Sequence, residues 1–568
     1  MSPVSTRSIT ARRALVAGAV LTLGAAMAAP ANAAIVDDPI SSSAPAAKLS
    51  LAPLGSYDTG VFDESAAEIV AFHAGSAQLY SVDANVGEIN VIDESDPENP
   101  VLIGTLAAAG VPIAGGDTIP AGSEANSVAV RADGLVVVAV EAPNKTDNGW
   151  VAFFDLDGNA LGAVQVGAQP DMVAVTPDGT QAVTADEGEP NATYTVDPEG
   201  TVTVIDLPAT LLAPTQAAVR TADFHAFEGA GLPAGVRVFA GIDGIDHPVS
   251  RNLEPEYVAV DAASSTAYVT VQEANAIAVV DLATATVTDL FSLGAKDFSA
   301  IKAGIDPSDR DGGVNIQRVP VKGLYQPDSI AAYTAVNGKT YLVTANEGDS
   351  RDDWNEGVDE YEESVRIKDL GEDGYAPPCG GVLTDAQLED AALGRLTVSR
   401  ESGLSADGSC YEELYAFGAR SFSIWTTDGT QVFDSGDDFE QITAAALPEV
   451  FNSSNDGTGL DNRSDNKGPE PEGLTIGQVG NKIYAFVGLE RIGGVMVYDV
   501  TNPNASRFVT YVNNRDFEAD PESAAAGDLG PEGLAFISAS DSPTGVPMLA
   551  VGNEVSGTTT LFSIAPKK

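Results

Sequence analysis

The sequence is short of basic residues, and this scarcity limits the partners it can have. Only 29 lysines and arginines stand against 82 acidic residues, which gives a formal net charge of −53 over 568 residues. We therefore expect no nucleic acid partner, because phosphate binding needs clustered basic side chains. Cations and cationic surfaces are the natural partners of such a field, and solubility or adaptation to salt explains the charge equally well.

Histidine and cysteine are also scarce. The three histidines lie far apart and the chain has only two cysteines, which argues against a Cys/His zinc site. Cys379 and Cys410 fall in one segment, and in an exported protein such a pair predicts a disulfide. We find no Gly-x-Ser-x-Gly elbow and no phosphate-binding Walker loop. The sequence thus offers no recognisable nucleophile.

Long hydrophobic runs are absent except at the N-terminus. There, three arginines precede an apolar run from Ala14 to Ala29, and a small-residue site follows, with cleavage expected after Ala33 or Ala34. Residues 1–34 are therefore predicted to be a signal peptide, by the general or the twin-arginine route. We expect a secreted, extracellular protein with no transmembrane anchor and no hydrophobic C-terminal tail.

Turn residues are abundant, with 57 glycines and 33 prolines, and a proline–acid–apolar motif recurs along the chain. Its copies begin at Gln169-Pro170-Asp171, Glu254-Pro255-Glu256, Gln326-Pro327-Asp328, Glu470-Pro471-Glu472 and Gly530-Pro531-Glu532. A turn-plus-strand signal that returns this often predicts a repeat fold.

The repeats share one plan, a turn followed by four strands, A to D. Strand A starts near Ile69, Ser127, Met172, Tyr257, Ser329, Gly473 and Gly533. The last repeat lacks strand D, which the isolated strand at Leu49–Tyr57 can supply, closing a ring and removing two sheet edges. We therefore predict an all-β, seven-bladed β-propeller of four-stranded blades over residues 49–568, preceded by a linker at 35–48 that is disordered from Ser41 to Lys48.

Three excursions interrupt this pattern. The largest, residues 349–419, separates strands B and C of the fifth repeat and carries both cysteines. The others are Pro208–Arg251 and Phe451–Lys467. Long loops in a compact fold are typically functional or disordered. Within the third, the Asn452–Asn466 loop has enough oxygen-bearing side chains to coordinate Ca²⁺, although its spacing is not that of an EF-hand.

Acidic residues gather in two sets of loops. In an up-and-down blade, the turn before strand A (the pre-A turn) and the loop between strands B and C (the B–C loop) lie on one face, so their carboxylates should ring the channel mouth. Crowded carboxylates favour a hard cation such as Ca²⁺, Mg²⁺ or Mn²⁺. The alternative is ordinary capping residues on a solvated rim. The candidate metal ligands are Glu187, Glu256, Glu347, Asp349, Glu472, Glu490, Glu532 and Glu554.

Two arginines lie among these acids. Arg351 follows Asn346-Glu-Gly-Asp-Ser, and Arg491 follows Glu490. Each is a candidate for bidentate binding of phosphate. Each is equally explained as a partner that neutralises neighbouring glutamates.

Several segments resemble the choice-of-anchor I family of exported bacterial β-propellers. The most specific are Asn346–Arg351, Leu414–Trp425, Phe433–Gly436 and Asp461–Gly473. The resemblance covers nearly the whole mature chain, although we expect no C-terminal anchor of the kind that names the family. It implies an extracellular propeller. It also implies phosphoesterase activity, since some relatives are labelled alkaline phosphatase-like, while animal members look like mesenchyme-specific surface glycoproteins.

Two functions follow from these observations. The first is a secreted or cell-surface propeller that binds divalent cations and an unidentified extracellular ligand at the acidic channel mouth. The second is a metal-dependent phosphoesterase, in which Glu347, Asp349, Glu472 and Glu490 hold the metal that activates water. A lactonase-like hydrolase is a third possibility. The resemblance supplies no catalytic residue to choose among them.

Overall fold

The computed structural model describes residues 35–239, 247–352, 361–372 and 374–567, so the predicted signal peptide lies outside the described residues. Strands make up most of the regular structure. Within these ranges the two α-helices are α1 (Val249–Asn252) and α2 (Asp438–Ala446). Short 3-10 helices occupy Gln216–Ala218, His225–Phe227, Gly229–Gly231, Ile367–Asp369, Asp385–Gln387, Pro503–Ala505 and Ala524–Ala526. In the described ranges no helix combines the length and apolarity needed to cross a membrane.

The first half of the chain builds four antiparallel sheets from consecutive strands. Two strands, β1 (Ile40–Ser43) and β2 (Leu49–Asp58), come before them. The four sheets contain, in order, β3 (Val70–His73), β4 (Gln78–Asp83), β5 (Glu88–Asp93) and β6 (Val101–Ala107); β7 (Glu124–Val130), β8 (Val136–Glu141), β9 (Asn148–Phe154) and β10 (Ala160–Ala168); β11 (Pro170–Val175), β12 (Gln181–Asp186), β13 (Thr201–Asp206) and β14 (Val219–Ala222); and β15 (Pro255–Val260), β16 (Thr266–Val271), β17 (Ala276–Asp281) and β18 (Thr286–Ser292).

The second half builds three more large sheets and two small ones. The strands are β19 (Ala295–Asp297), β20 (Lys322–Leu324), β21 (Ile330–Thr334), β22 (Thr340–Asn346), β23 (Ser364–Arg366), β24 (Thr397–Ser399), β25 (Tyr415–Ala416), β26 (Ser421–Thr426), β27 (Gln431–Asp434), β28 (Pro471–Val479), β29 (Lys482–Leu489), β30 (Val495–Asp499), β31 (Arg507–Asn513), β32 (Pro531–Ile537), β33 (Met548–Asn553) and β34 (Thr558–Pro566). The fifth sheet is β21-β22-β26-β27, the sixth is β28-β29-β30-β31-β1 and the seventh is β32-β33-β34-β2. The small sheets are β19-β20-β25 and β23-β24.

The large sheets pack face to face in a closed circle. A separate hydrophobic core joins each sheet to the next along the chain. A further core joins the seventh sheet to the first, through Met548 and Leu561 on one side and Leu79 and Ile92 on the other. The A strands of neighbouring sheets touch in the same order, and β32 contacts β3. This circular stacking confirms the predicted propeller fold.

The stacking explains the sequence pattern of the middle strands. Strand β8 is buried at every residue but the last, because neighbouring sheets cover both of its faces. It therefore reads as an unbroken apolar run. The outer strand β6 is mostly exposed and has no such run, so sequence reasoning could locate inner strands more sharply than outer ones.

The predicted closure is confirmed, and the chain before it is more ordered than expected. Strand β2 pairs antiparallel with β34, from Leu49 opposite Pro566 to Asp58 opposite Thr558. The prediction of a disordered linker from Ser41 to Lys48 is wrong for Ser41–Ser43, because β1 pairs with β31 as a fifth strand of the sixth sheet. An unpaired outer strand offers free backbone N–H and C=O groups. A polar segment can satisfy them without an apolar pattern that would reveal it.

The two longest excursions have structure of their own. The segment between β22 and β26, which pair directly with each other, forms a small core around Ile367, Leu396 and Val398. The predicted disulfide between Cys379 and Cys410 is present there, with a Cα–Cα distance of 5.0 Å. The Pro208–Arg251 excursion contributes β14 as the outer strand of the third sheet.

Candidate functional site

The pre-A turn and the B–C loop of a sheet lie side by side, as the topology predicts. In four sheets a backbone N–H of the B–C loop donates a hydrogen bond to the carbonyl oxygen of the residue that precedes the proline of the pre-A turn. The donors and acceptors are Glu187 to Gln169 (2.9 Å), Gly348 to Gln326 (3.0 Å), Glu490 to Glu470 (2.9 Å) and Glu554 to Gly530 (2.8 Å). The recurring bond holds both acidic segments together.

The residue before the proline adopts a left-handed backbone in the same four sheets. Its φ is 49° at Gln169, 39° at Gln326, 50° at Glu470 and 71° at Gly530. This conformation costs roughly 1–2 kcal/mol for a residue with a side chain, whereas glycine adopts it freely. Strain of this kind persists only where surrounding contacts hold it, and it is concentrated at functional sites.

Side-chain bonds to the B–C loop supply those contacts. The Nε2 of Gln169 donates to Glu187 at 2.5 Å and to Glu189 at 2.9 Å. The Nε2 of Gln326 donates to the carbonyl oxygen of Asp349. The residue before the proline thus faces its own B–C loop and positions it.

The acid after the proline lies in a β-bulge. In the third, fourth, sixth and seventh sheets the register of strand A against strand B shifts across this residue. A bulge leaves one residue unpaired and re-aims its side chain. The same geometry therefore recurs around the propeller and gathers acids from different sheets.

These acids surround a central cavity. Its volume is 190 Å³, and its polar lining includes Glu68, Asn126, Asp171, Asp328 and Glu532. Glu256 and Glu472 are coupled electrostatically to the same residues. We define the carboxylate ring as the six acids at this level, one from each sheet except the second, which contributes Asn126 instead. Its members are Glu68, Asp171, Glu256, Asp328, Glu472 and Glu532.

The carboxylate ring is a strongly unfavourable place for negative charge. Burial, followed by repulsion from neighbouring acids, raises the pKa of Glu68 to about 8 and that of Asp171 to about 7. The same two causes raise the pKa of the other four ring members well above their ordinary values. Among the described residues no lysine or arginine forms a salt bridge with the ring. Its charge is therefore left without a basic partner.

Three ring members also carry an unsatisfied atom. One carboxylate oxygen of each of Glu256, Glu472 and Glu532 is buried and has no hydrogen-bond partner among the described residues. Buried polar atoms normally find a partner, and each exception needs a cause such as a missing ion or water. The ring thus has both the charge and the free oxygens that a cation site requires.

Two ring members and the neighbouring Glu554 lie close enough together to share an ion. Glu68, Glu532 and Glu554 each present a carboxylate oxygen within 4.8 Å of the other two. Two oxygens on opposite sides of a Ca²⁺ ion, at about 2.3–2.6 Å from it, are about 4.6–5.2 Å apart. Glu532 and Glu554 were predicted metal ligands. Glu68 was missed because no proline precedes it, and only its place just before strand A of the first sheet could have revealed it.

A second acidic group is already neutralised. Glu347, Glu470 and Glu490 also meet within 4.8 Å. Lys467 contacts Glu347 at 2.5 Å and Glu470 at 3.2 Å. Burial would raise the pKa of Glu470, but the nearby cations outweigh it and hold that pKa well below its usual range. A metal here would have to displace protein cations.

The cations of this group are three. Besides Lys467, Arg463 binds Glu470 at 2.5 Å, and Arg491 binds Glu470 at 3.0 Å and Glu490 at 2.8 Å. Three positive side chains thus match three carboxylates. The group therefore fits the charge-neutralising alternative for Glu347 and Glu490.

The other predicted ligands lie at the edge of the ring. Glu187 accepts from Gln169, and burial raises its pKa well above the usual range. Burial also raises the pKa of Asp349, and Lys467 opposes the shift. In the second sheet Glu124, the first residue of β7, is exposed, and Asn126 lines the cavity instead.

The two arginines differ in availability. Arg351 is only 2% exposed and binds Glu254 at 2.6 Å and the side chain and carbonyl of Asn252. This is the arrangement of a structural arginine, and an anion would have to displace these bonds. The side chain of Arg491 is 26% exposed, so it can still reach an external anion.

The fold and this site define a class, that of β-propellers with a carboxylate-lined central cavity. The chain belongs to the choice-of-anchor I domain family, whose sequence profile matches residues 68–503. The predicted family is thereby confirmed.

Individual relatives cover parts of the chain. Gigasin-3a of Magallana gigas is 33% identical over 188 residues, which are 31% of this chain and 66% of that protein. Mesenchyme-specific cell surface glycoprotein of Strongylocentrotus purpuratus is 31% identical over 289 residues, 46% of this chain and 36% of that protein. The chain thus spans under two thirds of the length of both relatives. Among solved structures, Kuenenia stuttgartiensis hydrazine synthase aligns over 88% of this chain and 96% of its own, at 12% identity and a TM-score of 0.42.

Proposed function

We propose that this protein is an extracellular or cell-surface β-propeller that binds a divalent cation at the carboxylate ring and uses it to hold an external ligand. The location is supported by the predicted signal peptide and by similarity to a protein named as a cell surface glycoprotein. The site is supported by the ring itself. Six half-buried carboxylates that form no salt bridge with a basic residue in the described part of the chain are the single observation that carries the proposal.

The physical argument concerns how the ring can be stable at neutral pH. Without a cation, the ring must either take up protons or hold repelling charges in a poorly solvated cavity. A divalent ion held by Glu68, Glu532 and Glu554 offsets the repulsion and gives the unpartnered oxygen of Glu532 a partner. Hard oxygen ligands without imidazole or thiolate suit Ca²⁺, with Mg²⁺ and Mn²⁺ as the alternatives.

A bound cation would also attract a ligand. A 190 Å³ cavity leaves room beside an ion for a small oxygen donor, such as a carboxylate, phosphate or sugar hydroxyl. Arg491 lies close enough to influence the pKa of Glu554 and provides positive charge beside the Glu68–Glu532–Glu554 group. An anionic or oxygen-rich extracellular ligand fits this arrangement.

A metal-dependent phosphoesterase is the second candidate, and the partly exposed Arg491 favours it. Its proposed metal ligands would have to change, because Glu347 and Glu490 already contact Lys467 and Arg491. In this version the metal lies at Glu68, Glu532 and Glu554, and Arg491 binds a phosphate oxygen. The same purified protein tests both functions.

The experiment measures ion binding and hydrolysis on the mature chain. After chelation and removal of the chelator, Ca²⁺, Mg²⁺ and Mn²⁺ are each titrated by calorimetry. The ring variants Glu532→Gln and Glu256→Gln are compared with Glu522→Gln, which removes the same charge from an exposed position. Hydrolysis of p-nitrophenyl phosphate and bis-p-nitrophenyl phosphate is followed with each metal, in parallel with Arg491→Ala.

The two functions predict different results. Ion binding weakened at least about tenfold by the ring variants and unchanged by Glu522→Gln supports the cation site. Metal-dependent turnover that Arg491→Ala abolishes would favour the phosphoesterase. Equal ion binding in the wild type and both ring variants would refute the site.

A further inference from the structure

A second cluster of acids lies outside the propeller channel, where two distant loops meet. Asp306 and Asp311 belong to the loop between β19 and β20, and Asp461 belongs to the loop before β28. The three residues each present a carboxylate oxygen within 4.8 Å of the other two. Asp311 and Asp461 are 150 positions apart in the sequence, so only the folded chain brings these acids together.

A buried ion pair holds the two loops in place. Arg420 and Glu440 are 3% and 1% exposed and bind each other at 2.5 Å. Arg420 also donates to the carbonyls of Asp306 and Ser464, both at 2.8 Å. Glu440 accepts from the backbone N–H of Asp306 at 2.8 Å. The loop positions are therefore set by the Arg420–Glu440 pair. The charge of Arg420 is balanced by Glu440 and does not neutralise the aspartate side chains.

The basic side chains nearby are engaged elsewhere. Arg310 and Arg395 both form salt bridges with Asp309, which lies between two members of the cluster in sequence but is not part of it. In the described part of the chain no salt bridge involves Asp306, Asp311 or Asp461. Three carboxyl groups thus meet, and no basic side chain of the described residues pairs with them.

One oxygen in this cluster is buried and unpartnered. Asp461 is 3% exposed; its Oδ1 accepts from the hydroxyl of Ser464, while its Oδ2 has no hydrogen-bond partner in the ranges that the structure describes. Burial, then repulsion from Asp306 and Asp311, raises the pKa of Asp461 to about 8. Burial likewise raises the pKa of Asp306 to about 7. Buried oxygens normally have a partner, so an unpartnered oxygen inside an acidic cluster indicates that an ion or water is missing there.

The geometry points to a second, structural divalent-cation site at Asp306, Asp311 and Asp461, with Ca²⁺ as the ion it suits best. The ligands are oxygens only, and Ca²⁺ accepts irregular loop geometry more readily than Mg²⁺ does. Asp311 is partly exposed, which leaves water access to the remaining coordination positions. The ion would clamp the loop before β28 onto the β19–β20 loop, independently of the carboxylate ring.

The test uses the mature chain, with Ca²⁺ as the probe. Calorimetry gives the number of ions bound and their affinity, and protease cleavage within residues 451–468 reports loop clamping. Asp461→Asn and Asp311→Asn are compared with Asp456→Asn, an exposed aspartate of the same loop. We expect one fewer ion bound, or binding weakened at least tenfold, and Ca²⁺ protection of the loop lost in the first two variants only.

Controls separate this site from the ring and from misfolding. Glu532→Gln should leave loop protection intact, so failure of the ring proposal does not decide this one. Asp311 is partly exposed, so Asp311→Asn should fold even if Asp461→Asn does not, and circular dichroism checks this. If Asp461→Asn unfolds, the result for Asp311→Asn decides the question. Unchanged stoichiometry, affinity and loop protection in folded Asp311→Asn would overturn the proposal.

Discussion

Titration of the carboxylate ring should make the chelated protein lose stability between pH 5 and pH 8. The sign follows from the raised pKa values. Below pH 4.5 Glu68 is protonated in both the folded and the unfolded chain and contributes nothing. As the pH rises, the unfolded chain ionises first, because the pKa of Glu68 in the folded protein is raised to about 8. Folding stability therefore falls across this window.

The size of the loss can be worked from Glu68. A rise from 4.5 to about 8 corresponds to about 4 kcal/mol at pH 8, at about 1.4 kcal/mol per unit. Ring members titrate together, so they share part of this cost. Unfolding entropy of about 2.1 cal/mol/K per residue makes 1 kcal/mol worth about 1 °C in a chain of this length. We expect the Tm in chelator to fall by about 3 °C or more from pH 5 to pH 8.

The matched variant is Glu68→Gln. It should raise the Tm in chelator by about 3 °C at pH 8 and leave it nearly unchanged at pH 5, because only the charged form is penalised. Ca²⁺ at about 100 times its Kd should add about 2.7 kcal/mol to the wild type and less to the variant. Scanning calorimetry at pH 5, 6, 7 and 8, with chelator or Ca²⁺, measures both.

Glu94 provides the control. It is fully buried, neither carboxylate oxygen has a hydrogen-bond partner, and burial raises its pKa to about 9. Its backbone N–H binds Ala77, at the end of the first sheet away from the pre-A turn. Glu94→Gln should relieve the same kind of pH-dependent cost without changing the Ca²⁺ response. A Tm in chelator that is flat or rises from pH 5 to pH 8 would refute the reasoning.

Three further predictions concern the framework of the site. Gly473→Ala should lower stability by about 3 kcal/mol or more, because its Cβ would lie 1.5 Å from the carbonyl oxygen of Glu532; thermal unfolding and solubility measure this. Glu470→Gln should lower the free energy of unfolding by about 3–5 kcal/mol, because it leaves three cations facing two carboxylates. Unfolding scans well below pH 4 should show no such difference, because wild-type Glu470 also takes up a proton there. Replacing Cys379 and Cys410 by serine opens a loop of sequence separation 31. Hydrogen exchange should then show that the free energy of unfolding of the insertion is about 3–4 kcal/mol lower, while Ca²⁺ binding at the ring is unchanged.

Local sequence signals are enough to predict much of the fold. A buried strand covered on both faces must be apolar throughout, so β8 and its counterparts could be located directly. The recurring proline fixes where strand A begins, and up-and-down connections then place the pre-A turns beside the B–C loops. That reasoning was enough to predict the propeller, its closure by β2 and the gathering of acids at one end. Ile40–Ser43 escaped it, because an added outer strand needs only backbone groups.

The tertiary structure decided which acids remain uncompensated. Glu472 and Glu470 are two residues apart and look equivalent in sequence, yet the first has an unpartnered oxygen and the second binds three cations. Proximity across sheets, not residue type, makes this distinction, because Coulomb interactions depend on distances that the chain order does not contain. The same holds for Asp306 and Asp461, whose meeting is produced by the Arg420–Glu440 pair. The sequence by itself determined where the acids gather, and only the packing of the folded chain determined which of them lack a counter-charge.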